Sequence, residues 1–88
     1  MKLLQKLIVR SIAGEYVAVP VKSGQAGFEG VLTTNEVGAF ILSNLEEEIS
    51  VSDLTRKVVD EFEVDLPTAQ QDVNTFLDIL KENCLIDI

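Results

Sequence analysis

The spacing of apolar side chains changes once along this chain, and that change limits the fold more than any other feature. In the first third, Leu7, Val9 and Ser11 alternate with Ile8, Arg10 and Ile12, and Tyr16-Val17-Ala18-Val19 is β-branched and aromatic up to Pro20. Both runs predict strands, and Ala13-Gly14 between them predicts a hairpin. A loop is expected at Lys22 to Gly27. Phe28-Glu29-Gly30-Val31-Leu32-Thr33 then reads as a third, shorter strand, in which Gly30 marks a bulge or a close approach of another backbone.

Beyond that point apolar residues return every three or four positions. Thr33 with Glu36 has the capping-box spacing, and Val37, Phe40, Ile41 and Leu45 share one face of a helix that ends at Glu46-Glu47-Glu48. Ser50 with Asp53 opens a second, short helix carrying Leu54, Val58, Val59 and Phe62. Asp65 caps a third, Pro67 suits its first turn, and Ala69, Val73, Phe76, Leu77 and Leu80 form its stripe to about Asn83. Leu85 to Ile88 is an apolar tail expected to fold back on the body. The predicted class is α+β, a three-stranded antiparallel sheet followed by three helices, with residues 1–88 as one domain.

Composition removes several kinds of function. The chain has no histidine and one cysteine among 88 residues, so most nucleophilic triads and zinc sites lack their usual parts. No apolar run approaches the roughly 20 residues a bilayer span needs, which predicts a cytoplasmic protein without membrane contact. Charge is uneven. Lys2, Lys6, Arg10 and Lys22 outnumber Glu15 and Glu29 before residue 31, whereas Arg56, Lys57 and Lys81 face thirteen acids after it. A helical half so acidic repels phosphates, which argues against nucleic acid even though the second and third helices would suit a helix-turn-helix reader.

The remaining motifs are weak. Glu46 to Glu48 are consecutive side chains at a helix end and face water. Asp60 to Asp65 lacks the central glycine and closing glutamate of a calcium loop. Gly24-x-x-Gly27 lacks the Lys-Ser or Lys-Thr pair of a phosphate loop. Cys84 has no histidine to activate it and acids at Glu82 and Asp87, so it is expected to be a small buried hydrophobe.

Two segments carry a resemblance. Thr34-Asn35-Glu36-Val37-Gly38-Ala39 opens a helix after three strands, and Asp72-Val73-x-x-Phe76-Leu77-x-x-Leu80 lies in the last helix before Leu85-Ile86. In order and separation they resemble the PqqD family of peptide-recognition domains over nearly the whole chain. Thr34 departs from the family, which usually has an apolar residue there. Asn83-Cys84 replaces a turn that usually contains glycine, with Asn83 able to take the left-handed conformation.

The resemblance implies a winged-helix-like domain with no cofactor of its own. It would bind the leader of a ribosomally made precursor peptide as an added strand and present it to a separate modifying enzyme, often a radical-SAM protein in the family. The edge would be Phe28, Glu29, Gly30, Val31, Leu32 and Thr33, and the facing wall the third helix, with Asp72, Thr75, Phe76 and Ile79. Ile79 sits off the centre of the buried stripe, where it either lines a groove or packs on the tail. Asp72 either pairs with a basic leader residue or is solvated. A winged-helix DNA regulator and an accessory subunit that touches no peptide are the competing readings.

Overall fold

The computed structural model describes residues 1–21 and 30–87. The expected loop at Lys22 to Gly27, the strand residues Phe28 and Glu29, and Ile88 lie outside them. The elements are β1 (Leu7–Ile12), β2 (Glu15–Pro20), β3 (Leu32–Thr34), α1 (Glu36–Asn44), α2 (Val51–Phe62) and α3 (Leu66–Glu82). The strands form one antiparallel sheet in the order β1-β2-β3. An α+β fold of three strands followed by three helices is therefore what the sequence pattern encodes.

The hairpin turns on two residues. Ala13 and Gly14 both have positive φ, 52° and 85°, the condition for the type I′ turn whose twist matches its flanking strands. Leu7, Val9, Ala18 and Leu32 pack on the core, while Ile8 and Ile12 on the opposite face stay exposed. β3 is shorter than expected. It starts at Leu32, so Gly30 and Val31 precede the strand.

Each helix begins at a polar side chain that satisfies an otherwise unpaired amide. Ser50 accepts from the amide of Asp53 at 3.1 Å and Asp65 from that of Thr68 at 2.9 Å, as the sequence suggests. For α1 the cap is Asn35, not Thr33: the amide of Gly38 donates to Asn35 Oδ1 at 2.9 Å. Thr33 is committed to β3, and Asn35 is the one residue left between strand and helix. The second helix, expected to be short, has 12 residues against 9 in α1.

The core lies between the sheet and the three helices. Ile41, Leu42 and Leu45 from α1, Leu54 and Val58 from α2, and Ala69, Val73, Phe76, Leu77 and Leu80 from α3 are buried in it. Each fully buried aliphatic chain of this size contributes about 1.5–3 kcal/mol. Phe40 and Phe62 tie α1 to α2 edge to face, with centroids 5.4 Å apart.

The end of α3 closes with a Schellman turn. The amide of Leu85 donates to the Leu80 carbonyl at 2.8 Å and that of Cys84 to Lys81 at 3.1 Å. The left-handed residue is Cys84, with φ of 60°, rather than Asn83, whose φ is −95°. This overturns the expectation that Cys84 is buried: it is exposed, because the turn directs it outward and sends Leu85 and Ile86 into the core. Ile86 bridges to Leu3, and the amides of Leu3 and Leu4 donate to Leu45 and Leu85, so the first residues clamp the C-terminal tail to the end of α1. Nothing in the spacing of residues 1–6 announces that role.

Candidate functional site

The backbone bonding of β3 follows from the hairpin. In antiparallel strands, residues alternate between pairs that exchange hydrogen bonds and pairs that do not. A two-residue turn makes Ile12 and Glu15 a bonded pair, and the alternation carries that state to Arg10 with Val17 and Ile8 with Val19. The bond from the Val21 amide to the Lys6 carbonyl, 3.1 Å, continues the same phase. Residues 15, 17 and 19 thus point their polar groups at β1, and Tyr16 and Ala18 point theirs at β3.

Tyr16 pairs with Thr34 and Ala18 with Leu32, so those two residues of β3 spend their N–H and C=O groups on β2. Thr33, opposite Val17, directs its own N–H and C=O the other way. Among the described residues no strand lies on that side. Among the described residues the sheet therefore ends in an amide and a carbonyl at Thr33 that no strand pairs, available to another chain.

A groove of about 540 Å³ opens beside this edge. Thr33, Thr34 and Asn35 form its strand side, and Gln71, Asp72, Thr75, Phe76 and Ile79 of α3 form its other wall; Val37, Gly38 and Ile41 line the floor from α1. The structure thus brings together five of the residues singled out in the sequence: Thr33, Asp72, Thr75, Phe76 and Ile79. Gly30, Val31 and Leu32 do not line it, and Phe28 and Glu29 are outside the described residues.

Ile79 lies at the groove and is 38% exposed, an apolar surface with no packing partner sufficient to bury it, whereas Phe76 also lines the groove but is almost wholly buried. Sequence reasoning did not place Thr34, Asn35, Val37, Gly38, Ile41 and Gln71 at the groove. Asn35 and Gly38 stand inside the segment that carries the resemblance, and their signal was the short distance between strand and helix, which forces the first turn of α1 against β3.

Gly38 sets how closely these walls approach. A Cβ there would collide with the Thr34 hydroxyl and come within 2.9 Å of Phe76 Cε1. Only a glycine lets α1, β3 and α3 meet at this point.

The acidic run Glu46 to Glu48 is exposed and away from the groove; Glu48 pairs with the Met1 amino group. Glu63, within the acidic stretch 60–65, is the left-handed residue that ends α2.

Comparison with known proteins agrees with this architecture. Two solved structures resemble the chain. "TbiB1 in Complex with the TbiA(beta) Leader Peptide" superposes with a TM-score of 0.70 at 26% identity, covering 100% of this chain and 98% of that one. "Lasso peptide synthetase B1 complexed with the leader peptide" gives 0.66 at 24% identity, covering 96% and 93%. No curated protein matches. The family described as coenzyme PQQ synthesis protein D matches residues 15–86, a span from β2 through the C-terminal tail that contains the groove, and the chain belongs to this PqqD family.

Proposed function

We propose that the chain is a peptide-binding adaptor: it takes the leader of a ribosomally made precursor peptide as a fourth strand beside β3 and presents it to a separate modifying enzyme, such as a radical-SAM protein. The observation that carries this is the pairing of a free strand edge at Thr33 with a groove walled by α3. An extended peptide gains main-chain hydrogen bonds from the edge and selectivity from side chains that reach the groove. TbiB1, similar over its whole length, was solved with a leader peptide.

The chain does no chemistry in this reading. The residues available to the groove are threonines, an asparagine, a glutamine, one aspartate and apolar side chains, which position a ligand but supply no nucleophile and base in partnership. Any cofactor belongs to the enzyme. The cytoplasm, where ribosomes release precursor peptides, is its place of action; among the described residues no helix is long and apolar enough to cross a membrane.

Titration of the labelled protein with leader peptides, followed by NMR, tests the reading. Shifts concentrated on Leu32 to Asn35 and on Asp72 to Ile79 are expected. Shifts with duplex DNA and none with peptide would overturn it in favour of a DNA regulator. Binding to an enzyme but to no peptide would make the chain an accessory subunit.

A further inference from the structure

Among the described residues Asp72 is the only charged one lining the groove, and no hydrogen bond or ion pair holds its carboxylate. The surroundings reinforce its sign. Glu36, between the lining residues Asn35 and Val37, is exposed in the first turn of α1. On α3, Glu82 lies about 80° round the helix from Asp72, on the side of Thr75 and Ile79, whereas Lys81 is about 180° away. The one basic residue of α3 thus faces away from the groove.

An extended strand beside β3 turns every second side chain towards α3, at intervals of about 6.7 Å. Asp72 and Phe76 are one helical turn apart, about 6 Å along the axis. For a ligand strand that runs along α3, two successive inward side chains would fall opposite the Asp72 carboxylate and the apolar Phe76, with Ile79 about one further turn on. Among the described residues neither wall offers a cation to an acidic ligand.

Resting on the adaptor reading above, we propose that Asp72 is a specificity determinant: the groove selects leader segments in which a lysine or arginine stands two residues from an apolar side chain, and it rejects acidic ones. The gain is electrostatic and local. An exposed pair of this kind changes affinity by a small factor and is weakened by salt, so its signature is a preference among peptides rather than binding as such.

Fluorescence polarisation with three labelled peptides tests this. Each is an extended leader-like decapeptide with one central leucine, and two residues from it stands lysine, glutamine or glutamate. At low salt the wild-type protein should bind the lysine peptide about five- to tenfold more tightly than the glutamate peptide, and the ratio should shrink towards one at high salt. Asp72→Lys should invert the order. Asp60→Asn, which removes an acid on α2 outside the groove, should leave the ratio as it was. Equal binding of all three peptides, or the same ratio in Asp72→Lys as in Asp60→Asn, would overturn the inference while leaving the adaptor reading intact. Failure of every peptide to bind would remove both.

Discussion

The hydroxyl of Thr34 occupies the space that a side chain at Gly38 would need. Thr34 is the last residue of β3 and fills the gap over the first turn of α1. Gly38→Ala should therefore destabilise the protein by about 1–3 kcal/mol through overpacking, measured by denaturant unfolding. Adding Thr34→Ala should recover part of the loss, because the two positions are in contact and their effects are not additive.

Thr33 decides whether the ligand is an added strand. Thr33→Pro removes the one β3 amide that points away from β2 and leaves the bonds of Leu32 and Thr34 in place. The variant should stay folded by circular dichroism and lose about tenfold in leader affinity, the worth of one or so unmade hydrogen bonds. Undiminished binding by a folded variant would rule out main-chain pairing at this edge.

Cys84 holds a left-handed conformation, φ of 60°, that an L side chain adopts at a cost. Cys84→Gly should stabilise the protein by about 1 kcal/mol, since the Schellman bonds of Leu85 and Cys84 need no side chain at that position. For a chain of this size that raises the melting temperature by roughly 4–8 °C. A lower melting temperature would show that the thiol makes a contact worth more than the backbone relief.

Asp65 links stability to pH. Hydrogen bonds from the side chain and the backbone amide of Thr68 hold its carboxyl below the ordinary value of 3.8, slightly opposed by desolvation. A depressed folded-state pKa means that the contribution is complete above the unfolded value and is lost as pH falls through the folded one. The cap should therefore stabilise α3 throughout the neutral range and fail only below about pH 3.8. Asp65→Asn keeps an acceptor for the Thr68 amide but no charge, so the difference in melting temperature between it and the wild type should narrow on acidification through that range.

Most of the architecture was legible because it rests on local periodicity. The alternation before Pro20 and the three-to-four spacing after Val37 specify which side chains must leave water, and those choices precede any tertiary contact. Ser50 and Asp65 were readable as caps for the same reason: each acts on an amide three residues away. A local signal misled where a strand continued through it. The reading of Thr33 as the cap of α1 was wrong: its pairing with Val17 commits it to the sheet, and Asn35 takes the cap.

What the tertiary structure alone decided concerns contacts between distant residues. The outward direction of the Thr33 amide depends on the phase of a hairpin that closes at Ala13-Gly14, some twenty residues earlier. The gathering of Asp72, Phe76 and Ile79 against β3 depends on the packing that Gly38 permits. Cys84 was misjudged as buried because a thiol with no histidine to activate it and acids nearby reads as a small hydrophobe, but the backbone turn that seats Leu85 and Ile86 leaves it outside. Apolar spacing says which residues need cover; it does not say which distant surface covers them, and a groove is the place where that cover is left incomplete.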